Sequence, residues 1–373
     1  MATIVVAAGA SGGHVYPGLA TAAVLRSRGH EISFVGGDRL EARLVPDEGY
    51  RFDAIPVRRP PSVRIELLTP RGIAALGSTA RAFFKARRLL GRIRPDAVLG
   101  MGGFAALPVS MAAGTKRIPL VLHEQNANLS LAQRFPLRWA EVLALGLPVS
   151  EEIKARTALV GNPVRSRVAA LVAMDGAARR QARTSARGRL GLDPGARTLL
   201  VLGGSLGSGP LNENVPELSI PDDVQVLHLA GAGREDAVRD AYARAGRTAR
   251  VLGYLDSIDD AYLASDVAVS RSGASAVAEL ALAGLPSVLV PLPTLARGDQ
   301  EANARTLEGA GAAVVVPQSA ADFKGTLARE ITRLLTDAQA HETMARAARS
   351  QARPDAAERL ADVVESVIEG PVR

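Results

Sequence analysis

Two stretches of the chain share one arrangement, a continuous apolar run that ends in a glycine loop. Residues 3–8 (TIVVAA) lead into Gly9-Ala-Ser-Gly-Gly-His14, and residues 198–202 (TLLVL) lead into Gly203-Gly-Ser-Leu-Gly-Ser208. Apolar runs without alternation are typical of strands buried on both faces, as in parallel sheets with helical crossovers. The sequence therefore predicts an α/β protein with two Rossmann-like, doubly wound parallel-sheet domains.

Further apolar runs support both domains and indicate where they divide. We predict strands at residues 31–35, 97–99, 118–122, 142–145, 224–229, 250–252, 267–270, 287–290 and 312–315, and helices at 17–28 and 105–113. A turn at residues 161–163 precedes an Arg- and Ala-rich segment, 165–189, which we interpret as a helix. The predicted domains are therefore 1–164 and 165–373, with C-terminal helices able to pack back on either half.

Composition and charge narrow the classes of function. The 373 residues include no cysteine, which excludes disulfides, cysteine-ligated metals and thiolate catalysis. No apolar run reaches the roughly 18 residues that a membrane-spanning helix needs, and the first residues lack an export signal, so we expect an intracellular protein.

The charge is distributed unevenly along the chain. Residues 1–164 hold 21 basic and 12 acidic residues (+9), and the remainder holds 24 basic and 26 acidic residues (−2). The first half should meet an anionic partner, either a phosphorylated substrate or an acidic membrane face. Nucleic acid is the weakest candidate, because aromatic residues form only 3% of the chain.

Three glycine loops are expected at the carboxyl ends of parallel strands, where open α/β sheets bind ligands. They occupy residues 9–14, 100–104 and 203–208. Glycine lets the backbone approach a ligand closely, and free N–H groups at a helix start favour an anion. The first loop has neither the spacing of a dinucleotide-binding loop nor the G-K-[ST] of a P-loop. Two such edges facing across a cleft would suit a ligand with two phosphates.

Polar side chains also follow the later strands. Glu279 lies about two turns into an otherwise apolar helix, where it is either solvated or an acceptor for vicinal hydroxyls such as those of a ribose. Gln300 and Asn303 share one helical face and carry both donors and acceptors, which suits a sugar-binding rim, although a solvated face is the alternative.

Of five histidines, His14 is the one placed to act as a general base or phosphate donor, because it follows a glycine loop at a helix start. His123-Glu-Gln-Asn126 forms a polar run after an apolar strand, and capping or loop bonding could account for part of it. Of the remaining three, we interpret His30 as structural, His228 as buried in the core and His341 as solvated.

Seven motifs occur in one order along the chain. They are Gly9…His14, Gly100-Met-Gly-Gly-Phe104, His123-Glu-Gln-Asn-Ala127, Gly161-Asn-Pro-Val-Arg165, Gly203-Gly-Ser-Leu-Gly-Ser208, Arg271-Ser-Gly273 with Glu279, and Asp299-Gln300-x-x-Asn303-Ala304. In this order they resemble the MurG family of bacterial peptidoglycan N-acetylglucosaminyltransferases. The resemblance implies a GT-B fold, two Rossmann-like domains facing across a cleft. It also implies inverting transfer of N-acetylglucosamine from UDP-N-acetylglucosamine to the muramyl 4-hydroxyl of lipid I, an undecaprenyl pyrophosphate, giving lipid II in peptidoglycan synthesis.

The resemblance also implies roles for residues at matching positions. The implied donor-binding residues are Arg165, Ser205, Leu255, Ser275, Ala276, Glu279, Gln300 and Asn303. The implied acceptor-binding residues are Ser11, Gly12, Gly13, Gly102, Gly103 and Asn126. The implied catalytic residues are His14, His123 and Glu124, and the general base stays open between His14 and the His123–Glu124 pair. The chain departs from the family pattern at Leu206, Ala276, Ser130 and Gln133.

The sequence also leads to expectations about cofactors and about membrane binding. The sequence has no convincing Asp-x-Asp metal motif, so neither a metal nor another cofactor is expected, as in the family. Residues 73–94 interleave apolar and basic side chains, which predicts an amphipathic element beside a phospholipid surface; packing of Phe83 or Phe84 in the core is the alternative. The expected location is the cytoplasm, peripheral on the inner face of the cell membrane.

Three other functions are compatible with part of these sequence features. One is a related UDP-sugar transferase that acts on another lipid or natural product. Another is a UDP-N-acetylglucosamine 2-epimerase, which shares the two-domain fold but would lack the polar run at 123–126 and need no lipid-facing basic surface. A non-catalytic nucleotide-sugar binder is disfavoured because His14 and Gln300 are both present.

Overall fold

The structure, a computed structural model, describes residues 1–9, 12–58, 69–149, 151–204, 206–293 and 298–370. The chain forms two compact units, one of Met1–Arg165 with Asp355–Arg373 and the other of Ser166–Pro354. The first division falls within one residue of the predicted boundary at 164. The end of the chain, which the prediction counted with the second domain while allowing its helices to pack back on either half, belongs to the first unit.

The first unit is built on a seven-stranded parallel sheet with the order β3-β2-β1-β4-β5-β6-β7. Its strands are β1 (Thr3–Ala7), β2 (Glu31–Gly36), β3 (Arg51–Ala54), β4 (Ala97–Gly100), β5 (Leu120–Glu124), β6 (Val142–Leu145) and β7 (Thr157–Leu159). Its helices are α1 (Gly12–Ser27), α2 (Glu41–Asp47), α3 (Pro70–Ile93), α4 (Leu107–Thr115), α5 (Leu131–Arg134) and, at the end of the chain, α15 (Ala356–Ile368), with a 3₁₀ turn at Pro136–Trp139.

Strand β1 shows why its sequence carries no polar alternation. Ile4 and Val6 pack on one face of the sheet in a core that includes Leu360 of α15. Val5 packs on the other face in a core that includes Leu90 of α3. Because helices cover both faces, every position of the strand interior needs an apolar side chain.

The second unit is built on a six-stranded parallel sheet with the order β10-β9-β8-β11-β12-β13. Its strands are β8 (Arg197–Leu202), β9 (Val224–Leu229), β10 (Ala249–Leu252), β11 (Val267–Ser270), β12 (Ser287–Leu289) and β13 (Val314–Val315). Its helices are α6 (Ser166–Ala169), α7 (Gly176–Leu190), α8 (Gly209–Asn214), α9 (Glu235–Arg244), α10 (Ile258–Ala264), α11 (Ala274–Ala283), α12 (Asp299–Gly309), α13 (Phe323–Thr336) and α14 (Ala338–Ser350), with 3₁₀ turns at Ala170–Ala173 and Val215–Glu217.

Several predicted boundaries differ from the structure. The predicted helix at 165–189 is interrupted, since α7 starts anew where the Asp175 carboxylate accepts hydrogen bonds from the Ala177 and Ala178 N–H groups. Helix α1 begins at Gly12, before the predicted start at Pro17. The prediction also missed strands β3 and β7, which are short, lie at the two edges of the sheet and carry exposed residues.

Candidate functional site

The glycine loops of the first unit lie side by side at one edge of its sheet. Ala7 of β1 is in register with Gly100 of β4, which is in register with Leu122 of β5, so the segments that follow these strands emerge together. Gly103 has φ +77, and a Cβ there would lie 2.7 Å from the Gly9 carbonyl oxygen. Only glycine fits this backbone conformation and this approach.

His14, in the first turn of α1, is half-buried against the second glycine loop. A Cβ added at Gly102 or Gly103 would lie 3.5 or 3.0 Å from its ring carbons. Its Nδ1 lies 3.1 Å from Oε1 of Gln125. Burial lowers the pKa of His14 below the ordinary 6.5, although the charge of Glu124 opposes the shift. The ring is therefore neutral at neutral pH and able to accept a proton.

His123 occupies a different environment from the one expected of a base that meets substrate. It is fully buried, with Nε2 3.1 Å from the Gly161 carbonyl oxygen and Nδ1 3.3 Å from Nε2 of Gln125. Burial lowers the pKa of His123 to about 4. Of the candidates left open for the base, His14 is half-buried, whereas His123 and Glu124 of the pair are both buried.

Glu124 and Asn126 organise the turn that follows β5. The Glu124 carboxylate is 1% exposed and accepts hydrogen bonds from the Asn126 backbone (3.0 Å), the Asn126 amide (3.1 Å) and the Ser130 backbone (2.8 Å). A carboxylate held by several donors is a fixed acceptor. This geometry makes Glu124 a residue that shapes the turn, with half-buried Asn126 at its rim.

Two buried glutamines were absent from the predicted site. Gln125 Nε2 donates to the Met101 carbonyl oxygen at 2.6 Å, and Gln133 Nε2 donates to the His123 carbonyl oxygen at 2.8 Å. Gln125 thereby joins the second glycine loop to the ring of His14. Its place inside the polar run at 123–126 was the available signal.

The remaining predicted residues of this edge fall in three groups. Gly12 and Gly13 form the half-buried start of α1. Ser11 lies outside the described residues. Arg165, predicted within the second domain, belongs to the first unit, where its guanidinium lies 4.8 Å from the ring centroid of Tyr16 on α1.

In the second unit, Arg271 ties several strand ends together. Leu202 of β8 and Leu289 of β12 are both in register with Ser270 of β11, the residue before Arg271. The buried guanidinium donates to Ser208 Oγ in the glycine loop (3.0 Å), to the Val290 carbonyl oxygen (2.9 Å) and, beyond β13, to Gln318 Oε1 (3.0 Å). Burial lowers the pKa of Arg271, but an arginine remains charged at neutral pH.

Helix α11 starts at this same edge with a backbone terminus suited to an anion. Gly273 precedes it and offers no side chain to cap its N–H groups. Ser275 Oγ, in the first turn, is buried without a hydrogen-bond partner among the described residues, and Ala276 beside it is half-buried. Glu279 follows one turn later and is 9% exposed, with Oε2 accepting the Tyr262 hydroxyl at 2.7 Å. The interpretation of Glu279 as a solvated residue is therefore wrong.

Gln300 and Asn303 of α12 lock that helix to the loop before α11. Asn303 is fully buried and its Nδ2 donates to the Ser272 carbonyl oxygen at 3.1 Å. Ser272 Oγ in turn donates to the Gln300 carbonyl oxygen at 2.7 Å. The half-buried Gln300 side chain accepts the Leu292 N–H at 2.9 Å. Asn303 therefore positions the loop instead of lining an exposed rim.

The other second-unit predictions concern single residues. Leu255 is half-buried in the segment after β10. Ser205 lies outside the described residues. His228 is a buried core imidazole, as predicted, bonded to Tyr242 and Asn212. The prediction that His341 is solvated is wrong, since its Nε2 lies 3.0 Å from the Asp266 carbonyl oxygen.

The described part of the chain also bears on metal binding and membrane insertion. In those residues no three histidine, cysteine, aspartate or glutamate side chains are grouped to hold a metal ion. Among the helices of that same part, none is both long and apolar enough to cross a bilayer.

Two doubly wound parallel sheets, each with glycine loops and polar side chains at its carboxyl edge, are the arrangement of the GT-B fold, to which nucleotide-sugar-dependent glycosyltransferases belong. The comparisons with known proteins agree. Residues 4–144 match the glycosyltransferase family 28 N-terminal domain and residues 198–360 match the glycosyltransferase family 28 C-terminal domain. The chain belongs to glycosyltransferase family 28, which confirms the predicted fold class.

Individual relatives narrow this further. The chain is 39% identical over 377 residues to the UDP-N-acetylglucosamine--N-acetylmuramyl-(pentapeptide) pyrophosphoryl-undecaprenol N-acetylglucosamine transferase of Aeromonas hydrophila, covering 99% of this chain and 98% of the relative. The crystal structure of Acinetobacter baumannii MurG aligns with a TM-score of 0.76 at 29% identity, covering 97% and 99% of the two chains. A putative UDP-N-acetylglucosamine 2-epimerase from Listeria monocytogenes aligns with a TM-score of 0.68 over 98% and 96%, but at 16% identity this likeness shows the fold alone. The predicted resemblance to the MurG family is confirmed.

Proposed function

We propose that this chain transfers N-acetylglucosamine from UDP-N-acetylglucosamine to the 4-hydroxyl of the muramyl sugar of lipid I, forming lipid II with inversion at the anomeric carbon. The observation that carries the proposal is His14, a neutral imidazole held against glycine loops at the carboxyl edge of the first sheet. It stands in a chain that matches, over nearly all its length, transferases named for this reaction.

In the proposed reaction His14 accepts the proton of the acceptor hydroxyl as that oxygen attacks the anomeric carbon. The new C–O bond forms while the bond between the anomeric carbon and the UDP oxygen breaks, and its electron pair leaves with the diphosphate. Direct displacement by one attacking oxygen inverts the anomeric carbon. The uncapped N-terminus of α11 and the Ser275 hydroxyl are suited to stabilise the departing charge.

Donor binding is assigned to the carboxyl edge of the second sheet. Glu279 would accept hydrogen bonds from the ribose hydroxyls, and the Gln300 amide would bind the sugar. Leu255 would lie beside the uracil and Ala276 near the diphosphate. Asn303 supports this site by fixing the Ser272 loop.

Acceptor binding is assigned to the glycine loops of the first unit, with Asn126 at the rim. Gly102 and Gly103 adopt left-handed backbone conformations, in which successive N–H groups can bind an anion such as a pyrophosphate. Arg165, the donor-binding residue that belongs to the first unit, lies with its guanidinium over the Tyr16 ring and would supply positive charge to the donor nucleotide.

Membrane binding is proposed for helix α3. Phe83 packs partly on the core, whereas Phe84 is 67% exposed and Leu76 is 54% exposed. Exposed basic residues flank Phe84 on the same helix, namely Arg81, Lys85, Arg88 and Arg92. An apolar residue among cations suits an acidic leaflet, where a lipid-linked acceptor would reside.

The test is transfer of radiolabelled sugar to a lipid I analogue. We expect label from UDP-N-acetylglucosamine in the lipid product, and little competition from UDP-glucose. Equal use of both donors would contradict the assignment of the donor. Formation of a 2-epimer from UDP-N-acetylglucosamine without any acceptor would instead support the epimerase alternative and overturn the transferase.

A further inference from the structure

A row of hydrogen bonds at the carboxyl edge of the first sheet connects a backbone carbonyl to the ring of His14. His123 Nε2 lies 3.1 Å from the Gly161 carbonyl oxygen. Gln125 Nε2 lies 3.3 Å from His123 Nδ1 and 2.6 Å from the Met101 carbonyl oxygen. At the end of the row, Gln125 Oε1 lies 3.1 Å from His14 Nδ1.

Two carbonyl oxygens fix the direction of every hydrogen bond in this row, because a carbonyl only accepts. Gly161 therefore requires the proton of neutral His123 to lie on Nε2, and His123 Nδ1 becomes an acceptor. Because the Met101 carbonyl oxygen must receive a proton donor, the group of Gln125 that faces it is the amide NH2. The second hydrogen of the same NH2 is then donated to His123 Nδ1. Both constraints turn the amide oxygen of Gln125 toward His14. Since that oxygen cannot donate, the shared proton belongs to His14 Nδ1.

We propose that Gln125 is a positioning residue that holds His14 as the Nδ1-protonated tautomer, which leaves Nε2 as the nitrogen that accepts the proton of the acceptor hydroxyl. His123 serves this arrangement as a fixed link and not as a base. The assignment of the tautomer rests on the hydrogen bonds alone, whereas its catalytic use rests on the proposed function.

The surroundings keep this row in one arrangement. Gln125 is 2% exposed and His123 is fully buried, and the Gln125 backbone oxygen accepts the Asn162 amide at 2.9 Å. Rotating the Gln125 amide by half a turn would set its NH2 against His14 and its oxygen against Met101, oxygen to oxygen. A buried acceptor pair of this kind loses a hydrogen bond and adds repulsion.

An amide partner differs from a carboxylate partner in its effect on basicity. Gln125 orients His14 without a negative charge, and burial lowers the pKa of the ring. The charged groups that act on His14 are Glu124 of β5 and Glu41 of α2, and both favour the protonated ring. The hydrogen bond to Gln125 also favours the protonated ring, but it lacks the negative charge that a carboxylate would bring, so burial still leaves His14 in its base form at neutral pH.

The experiment is ring ¹⁵N NMR of the full chain with ¹⁵N-labelled histidine at pH 7.5, in which two-bond couplings identify the protonated nitrogen. The His14 signals are those missing from the His14→Gln variant. We expect Nδ1–H for His14 in the unmodified protein and an Nε2–H or mixed population in Gln125→Leu. The matched control is Gln133→Leu, because Gln133 is also a buried glutamine that donates to carbonyl oxygens of this network, at Gly100 and His123. This control should leave the Nδ1–H form of His14 unchanged.

A second variant keeps the test decisive if Gln125→Leu does not fold. Gln125→Glu loses the NH2 that faces the Met101 carbonyl oxygen but retains an acceptor oxygen for His14 and adds a negative charge. We therefore expect retention of Nδ1–H and an acidic limb of the kcat/KM profile displaced to higher pH. Nε2–H in the unmodified protein, or an unchanged Nδ1–H in Gln125→Leu, would overturn the inference.

Kinetics separate this inference from the proposed function. In Gln125→Leu we expect kcat to fall about tenfold to a hundredfold, with KM for UDP-N-acetylglucosamine within about twofold. If the tautomer changes as expected but kcat does not, Gln125 still sets the tautomer, and the assignment of His14 as base fails. If the unmodified protein shows Nε2–H, the inference fails whatever the activity.

Discussion

The hydroxyl of Tyr262 on α10 donates a 2.7 Å hydrogen bond to Oε2 of Glu279 on α11. Tyr262 is 2% exposed and Glu279 is 9% exposed. An ionised carboxylate with so little access to water requires hydrogen-bond donors. The Tyr262 hydroxyl supplies one donor and fixes the orientation of the Glu279 carboxylate. Helix α10, which carries no proposed ligand-binding residue, therefore orients the residue proposed to bind ribose.

Tyr262→Phe removes only this donor and preserves the ring that packs in the core. A hydrogen bond to a charged group contributes about 1.5 to 3 kcal/mol. If half of the lower value, about 0.75 kcal/mol, is lost from donor binding, KM for UDP-N-acetylglucosamine rises about threefold to fourfold while kcat changes less. Steady-state kinetics at saturating lipid I analogue would measure this split.

Tyr242→Phe provides the control for that substitution. Tyr242 is also a buried tyrosine of the second unit, but its hydroxyl lies 2.9 Å from Nδ1 of His228 in the core. Its loss should lower the urea midpoint of unfolding without a change in KM. Equal KM effects in the two variants would contradict a specific role for Tyr262.

His14→Ala should remove the general base. We expect kcat to fall by roughly 10² to 10⁴-fold, with the Kd for UDP retained because the proposed donor residues, apart from Arg165, belong to the second unit. In the unmodified protein the pKa of His14 is lowered, so the base form persists at neutral pH and activity should decline only below about pH 6.5, as the ring takes up a proton. Turnover is measured across pH 5 to 8, and UDP binding by calorimetry.

His30→Gln is the matched control for that experiment. His30 also belongs to the first unit, but its Nε2 lies 2.8 Å from Glu365 of α15. We expect an unchanged acidic limb in this variant. A decline of the same size in both variants would show that the loss in His14→Ala comes from general damage to the unit.

The strands could be predicted where burial on both faces requires a continuous run of apolar residues, as at β1 and β8. Edge strands have one unpaired side and partial exposure, so β3 (RFDA) carries no such run and was missed. The interruption before α7 was missed for another reason, because an N-terminal capping aspartate inside an Arg- and Ala-rich segment is a local signal that the helical composition outweighs.

Residue types at the site could be predicted, but their orientations could not. His123 and Gln125 occur in the same polar run, yet their hydrogen-bond partners are distant in sequence. His123 lies beside the Gly161 carbonyl oxygen, and Gln125 contacts His14, 111 residues away. The same holds for Asn303, whose contact with Ser272 turns an expected rim residue into an internal support. Tertiary contacts of this range leave no periodicity in the sequence.

His228 makes stability depend on pH. Its Nε2 lies 3.0 Å from Asn212 Oδ1, and burial lowers its pKa to about 3. A folded-state pKa below the unfolded value near 6.5 means that the unfolded chain binds the proton more readily, so stability is fully present above pH 6.5 and declines toward pH 3. The expected loss is on the order of 1 kcal/mol per pH unit from this residue. His123, with its pKa lowered to about 4, should act in the same direction.

The non-titrating variant His228→Gln tests this pH dependence through urea unfolding at pH 7 and pH 5. We expect it to be less stable than the unmodified protein at pH 7, because it disturbs bonds to Asn212 and Tyr242. It should nevertheless lose less stability on acidification. A loss equal to that of the unmodified protein would locate the acid sensitivity elsewhere.

Phe84 should govern binding of the chain to acidic vesicles, because it is the exposed aromatic residue of α3 while Phe83 packs partly on the core. Phe84→Ser should reduce co-sedimentation with vesicles containing acidic phospholipid by about tenfold, the effect of removing a large apolar side chain from an interface. Arg88→Gln should reduce it about fivefold and only at low salt, since salt screens exposed charges. The control is Val172→Ser, which changes an exposed apolar residue of the second unit, 43% exposed against 67% for Phe84, and should bind vesicles as the unmodified protein does. Equal binding of the Phe84 and Val172 variants would remove α3 from the proposed membrane surface, whereas turnover on a water-soluble acceptor should stay unchanged in every variant because α3 supplies none of the proposed site residues.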